Sequence, residues 1–142
     1  MIYIFVGMKN FKINHIAYVV KDLSESSELF MNSFKYKIIE NEVIDELQDV
    51  TVQFLHHESL PTVELIMPNS EKSPSQNALQ KGGGINHIAY DVNDINEGIK
   101  YFETNKFKLV KKPLPGSAHN NKLVCFLYHS KMGLIELVEK NI

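Results

Sequence analysis

An internal repeat constrains this chain more than any other feature. Residues 13 to 23 read Ile-Asn-His-Ile-Ala-Tyr-Val-Val-Lys-Asp-Leu, and residues 85 to 95 read Ile-Asn-His-Ile-Ala-Tyr-Asp-Val-Asn-Asp-Ile, identical at eight of eleven positions with an offset of 72. The same offset links Val63-Glu-Leu-Ile66 to Ile135-Glu-Leu-Val138. Each copy therefore carries one histidine and, 49 residues later, one glutamate: His15 with Glu64, and His87 with Glu136. A unit used only twice predicts paired modules and not a solenoid, which needs at least three repeats to be stable. The repeat places a first module at residues 12–68, a connector at 69–83 and a second module at 84–139, within one domain spanning residues 1–142.

The order of elements within a module follows from pattern. His15, Ala17 and Val19 alternate with Ile16, Tyr18 and Val20, a β-branched and aromatic run that suits a strand covered on both faces. Asp22-Leu-Ser-Glu25 and its copy Asp94-Ile-Asn-Glu97 then announce a helix. Asp is a favoured N-cap, and a glutamate three residues on can complete the capping box. Leu29, Phe30 and Phe34 are expected on the buried face of the first helix, and Ile95, Ile99 and Phe102 on that of the second. Three strand-like runs follow in each copy: residues 36–44, 50–55 and 63–67, then 107–111, 122–127 and 134–138. The predicted fold class is α+β, with two tandem βαβββ modules whose sheets form a cupped, half-open barrel. In the connector, Ser73-Pro74 before Asn77-Ala-Leu-Gln-Lys81 reads as an N-cap and a first-turn proline, and Gly82 to Gly84 as a glycine stop and hinge. Those glycines fit neither nucleotide-binding fingerprint.

Four residues carry the candidate chemistry. A glutamate flanked by Val63, Leu65 and Ile66 is costly to bury without a cation, and the repeat supplies it twice. His15, Glu64, His87 and Glu136 thus make a two-fold set of two imidazoles and two carboxylates, meeting at one point if the modules pair face to face. Such a mixed nitrogen and oxygen set suits a six-coordinate divalent ion with positions left for water or substrate, and Co, Ni, Zn, Mn and Fe all remain open. A closed structural zinc site would favour cysteine. The expected use of the ion is polarisation of a substrate carbonyl, so that a proton on the adjacent carbon can be removed. Glu64 and Glu136, on opposite sides of the ion, are the candidate catalytic groups for taking that proton from one face and returning it elsewhere.

Composition narrows the partners. A formal charge of −2 with scattered lysines leaves no electrostatic footprint for nucleic acid. The apolar opening stretch at residues 1–8 is too short to span a bilayer and lacks the features of a secretion signal, so no membrane partner and a cytoplasmic location are expected. Met8 is an alternative start, which makes residues 1–7 either an extension or an edge strand. The single cysteine, Cys125, sits in the apolar run Leu-Val-Cys-Phe-Leu and is expected to be a buried, inert thiol.

At these residues the chain resembles the vicinal oxygen chelate superfamily, which includes glyoxalase I, methylmalonyl-CoA epimerase, extradiol dioxygenases and antibiotic-resistance proteins. The resemblance covers about residues 12 to 139. It is nearest to the methylmalonyl-CoA epimerases, in His15-Ile-Ala-Tyr-Val-Val-Lys-Asp-Leu23, Val63-Glu-Leu-Ile-Met-Pro68, the run from Gly83 to Ile95, Pro113-Leu-Pro-Gly-Ser-Ala118 and Ile135-Glu-Leu-Val-Glu139. It implies metal ligands at His15, Glu64, His87 and Glu136, a base at Glu136, a small carbonyl or thioester substrate, and a homodimer. Three departures stand out. Leu47 occupies the position where those epimerases carry a second catalytic glutamate, with Glu46 and Asp49 as the nearby acids that could replace it. His119-Asn-Asn121 stands where the epimerases tend to have glycine, and the turn from Tyr128 to Gly133 lacks the usual His-Pro pair. His119 lies in a loop expected to border the substrate, whereas His56 and His57 are expected in solvent.

The function expected is therefore a metal-dependent isomerase or epimerase that abstracts an α-proton next to a carbonyl or acyl thioester. A lactoylglutathione lyase of the glyoxalase I type is the nearest rival, since it has no need of a base at Leu47. A dioxygenase using two histidines and one glutamate on iron is disfavoured by Glu64, which would crowd the site. A non-catalytic, antibiotic-binding module is the alternative from a different class.

Overall fold

The computed structural model describes residues 11–140; the opening segment at residues 1–7, whose role the sequence leaves open, lies outside them. The chain divides into two compact units, residues 15–86 and residues 11–14 together with 87–140. Each is built from the predicted βαβββ order.

Strand β1 (Lys12–Val19), which enters the first unit at His15, leads into helix α1 (Leu23–Phe34) and strands β2 (Val43–Asp45), β3 (Val50–Leu55) and β4 (Val63–Pro68). The strand order is β2-β3-β4-β1, with β1 parallel to β4 and the other pairs antiparallel. In the second unit, β5 (Gly84–Val92) leads into α3 (Ile95–Thr104), β6 (Lys108–Pro115), β7 (Leu123–His129) and β8 (Gly133–Glu139), in the order β5-β8-β7-β6. A short helix α2 (Gln76–Gln80) precedes β5.

The duplicated caps form as their chemistry requires. Asp22 accepts a hydrogen bond from the Glu25 amide at 2.8 Å, and Asp94 accepts one from the Glu97 amide at 2.9 Å. Glu139 adds a second cap to α3, accepting from the Ile95 amide at 2.9 Å. The buried face of α3 is Ile95, Gly98 and Ile99, with Phe102 partly buried behind them, as its spacing predicts. On α1 the burial differs from expectation. Leu29 and Phe34 are exposed, and the helix instead buries Leu23 and Ser27 with Phe30 packed beside them. These three are the residues that the repeat offset matches to Ile95, Ile99 and Phe102, so the two helices bury corresponding positions.

The run at residues 36–44 is also not the strand its composition suggests. Only Val43–Asp45 joins the sheet, and Lys37 makes an isolated bridge to His56. Between them the Glu40 carbonyl takes its hydrogen bond from the Gln53 side chain at 2.8 Å, so a side chain of β3 does the work of a ladder partner. In the connector, Ser73 does not cap α2 directly. Its hydroxyl accepts from the Ser75 amide at 3.3 Å, and the helix begins one residue later, at Gln76.

Gly83 follows α2 with φ +69°, and a Cβ there would come within 2.7 Å of the Val19 carbonyl oxygen. Both strain and collision with backbone oppose any larger residue. Gly83→Ala is therefore expected to destabilise the protein by about 2 kcal/mol or more, read as a lowered urea midpoint at unchanged slope. Among the described residues no helix is long and apolar enough to cross a membrane.

Candidate metal centre

Both copies position their histidine and glutamate by the same register. In the first unit Ala17 on β1 stands opposite Glu64 on the parallel strand β4. His15, two residues before Ala17 and on the same buried face, brings its Nε2 within 3.2 Å of Glu64 Oε1. In the second unit Ala89 stands opposite Glu136, and His87 Nε2 lies 3.1 Å from Glu136 Oε1. The four side chains are nearly inaccessible, at 0% and 7% exposure in the first pair and 3% and 4% in the second. The alanines are themselves fully buried.

Each pair has a third member that residue type alone does not single out. The His15 ring lies edge-on to Phe54 at 5.7 Å and 79°, and the His87 ring lies edge-on to Phe126 at 5.1 Å and 90°. Phe54 pairs across the sheet with Glu64, and Phe126 with Glu136. The two phenylalanines are themselves 72 residues apart, so the repeat offset was the signal that could have found them. A ring packed against an aromatic edge is held in orientation, which is what a ligand histidine needs.

The donor chemistry fits a divalent cation. In each unit a buried carboxylate oxygen faces an imidazole nitrogen, and a cation between such groups offsets the cost of keeping a carboxylate away from water. Each unit contributes one nitrogen and one oxygen donor, the hard and borderline types suited to first-row divalent metals.

The second unit adds His119, whose Nε2 lies 3.6 Å from Glu136 Oε2, with its side chain only 10% exposed. The other histidines serve local structure. His56 pairs with Glu40 at 2.8 Å, and His57 Nδ1 accepts the backbone amides of Ser59 and Leu60 at 3.0 and 3.1 Å. Leu47 sits in the turn between β2 and β3 and is 93% exposed. Of its acidic neighbours, Asp49 accepts a hydrogen bond from the Ser70 hydroxyl, and Glu46 is exposed in the same turn.

Cys125 is 1% exposed on β7, and its thiol is pushed up to about 12, first by burial and then by the Glu136 charge, against a backbone hydrogen bond at Leu137 that acts the other way. Iodoacetamide at pH 8 is expected to leave it intact in the native protein and to modify it fully in denaturant. Between an unfolded thiol value near 9 and the native value of about 12, the native state holds a proton that the unfolded chain has released. This group therefore lowers stability as pH rises through that window.

Two copies of one strand-borne His–Glu pair, each on a βαβββ unit, define a class of protein. A model of the Glyoxalase/Bleomycin resistance protein/Dioxygenase superfamily matches residues 14–126, and the chain belongs to that superfamily. Within it, the chain is similar to methylmalonyl-CoA epimerases. The mitochondrial methylmalonyl-CoA epimerase of Dictyostelium discoideum is 34% identical over 134 residues, which cover 91% of this chain and 78% of that protein. Among solved structures, a hypothetical protein from Bacillus halodurans C-125 matches with a TM-score of 0.83 at 30% identity, over 94% of this chain and 97% of the other. A Streptomyces coelicolor methylmalonyl-CoA epimerase in complex with 2-nitronate-propionyl-CoA matches with a TM-score of 0.78 at 20% identity, over 92% and 98% of the two chains, a likeness of fold alone.

Proposed function

We propose that the protein is a divalent-metal-dependent epimerase that moves an α-proton of a CoA thioester, with methylmalonyl-CoA as the substrate to try first. The observation that carries this reading is the duplicated pair: His15 with Glu64 at 3.2 Å and His87 with Glu136 at 3.1 Å, all four buried. In this reading the four side chains share one ion, which when bound supplies Lewis-acid polarisation of the thioester carbonyl. Glu136 takes the α-proton on one face of the substrate and Glu64 delivers one on the other, the division of labour that inversion requires. Buried settings suit both acids to this task, because water is kept from the carbanion-like intermediate. The exposed leucine at position 47 leaves the second base to Glu64. Similarity to the Dictyostelium epimerase supports the substrate class, and the Streptomyces epimerase holds a CoA ligand on the same fold. A homodimer is proposed on the same resemblance.

Deuterium incorporation at the α-carbon of methylmalonyl-CoA is the direct assay. We expect exchange with inversion by the metal-loaded protein and none by chelator-stripped protein. Exchange no faster than in the stripped control would remove the epimerase reading, and turnover of a hemithioacetal in its place would put a glyoxalase-type lyase there.

A further inference from the structure

The repeat that builds the two pairs also sets two loops in correspondence, with different contents. The turn before β3 ends at Asp49 with φ 55°, and the turn before β7 ends at Asn121 with φ 62°, the same left-handed step 72 residues on. By that offset Leu47 and His119 hold equivalent places. In the first unit the position carries an apolar side chain that is 93% exposed. In the second it carries an imidazole that is 10% exposed and lies 3.6 Å from the Glu136 carboxylate. The polar group absent from one loop is thus present in the other, turned inward.

The His119 loop is built to hold that direction. A one-turn 3-10 helix spans Ser117–His119. Around it the Gly116 amide bonds the Lys122 carbonyl, the His119 and Asn121 amides bond the Gly116 carbonyl, and the Lys122 amide bonds the His119 carbonyl, all at 2.9 to 3.1 Å. The imidazole packs against Gly116 so closely that a Cβ there would come within 3.3 Å of His119 Cδ2 and 3.2 Å of Val124 Cγ1. Glycine at this position makes room for the ring.

We propose that His119 is a positioning residue for Glu136. Its imidazole steadies Oε2, which fixes the plane of the carboxylate and leaves Oε1, the oxygen beside His87 Nε2, to be offered to metal and substrate. The 3.6 Å separation is that of an electrostatic contact, and a hydrogen bond requires a few tenths of an ångström less. Contacts of this kind commonly tighten in the loaded complex. The inference rests on Glu136 being ligand and base, and it adds an asymmetry to the two-fold set: Glu136 has an imidazole beside its second oxygen, and Leu47 gives Glu64 no such group.

The test uses the full chain loaded with Co(II), compared with His119→Ala, His119→Gln and Gly116→Ala. For His119→Ala we expect Co(II) affinity to fall about 10- to 100-fold, the effect typical of losing a group that orients a ligand. The visible Co(II) absorption should shift, and kcat for α-proton exchange should fall with KM for the thioester little changed. His119→Gln, which keeps a donor, should recover most of the loss, and Gly116→Ala, which displaces the ring, should reproduce part of it. His119→Ala with the parent's Co(II) affinity, spectrum and kcat overturns the proposal, including the case in which only its melting temperature falls. A parent protein that takes up no Co(II) overturns the metal reading and the role of His119 with it, whereas a parent that binds Co(II) beside an indifferent His119→Ala overturns the positioning role alone.

Discussion

Glu136→Gln will lower epimerisation about a thousand-fold and will do so selectively, leaving deuterium exchange into one configuration of the substrate. The amide is nearly isosteric with the acid and can still meet His87, so the β8 register and the Ala89 pairing should survive. What disappears is a base on one face. The remaining base, Glu64, still removes the proton that it faces and returns one from solvent, which gives exchange without inversion. Glu64→Gln should mirror this, washing deuterium into the opposite configuration. The pair of variants is therefore diagnostic: complementary stereochemical losses support two bases, and loss of exchange into the same configuration by both would exclude them. The melting temperatures of both variants should stay close to that of the parent, since each keeps its partner histidine.

His15→Ala and His87→Ala each should empty one and the same metal site. If the two His–Glu pairs share an ion, protein purified without a tag should hold about one divalent metal per chain, and either substitution should reduce this to a small fraction, because loss of one of four ligands weakens binding steeply. If each pair held its own ion, either variant would retain the half that it does not touch. Elemental analysis of the two variants side by side decides between these outcomes. Both substitutions remove a ring packed edge-on against phenylalanine, Phe54 for His15 and Phe126 for His87, so some stability is lost as well. Circular dichroism on the purified variants separates that loss from the loss of metal.

The part of this site that could be read from sequence was the part written twice. His15, Glu64, His87 and Glu136 stand out because one offset relates them, and the same offset relates the two helix caps. Where residues were judged by type alone, expectation and structure parted. Leu29 and Phe34 look like helix core but face outward, since the position of α1 against β3 and β4 is set by Leu23, Ser27 and Phe30. The apolar stretch around Ile38 and Ile39 has strand composition, yet its backbone is satisfied by a side chain and a single bridge, and pairing of that kind leaves no periodic trace. Phe54 and Phe126 were hidden in strands that any buried sheet would fill with apolar residues. His119 and Leu47 show no kinship by residue type, because a loop residue draws its meaning from which way the loop folds, and residue type does not encode that direction.

The four residues ahead of His15 belong to the compact unit built from the far end of the chain. Phe11 packs against Tyr90, Tyr101 and Phe102 with ring centroids 5.7 to 6.3 Å apart, and Asn14 donates to Asp91 at 2.9 Å across 77 residues. Residues 15–86 form the other compact unit, so this short segment reaches its partners only by closing a loop that contains that whole unit. Its closure spans a long stretch of chain and so carries an entropic cost that grows only slowly with length. Strand β1 is thus divided between two compact units, its opening residues anchored by chain that lies beyond residue 86 and the rest by chain before it.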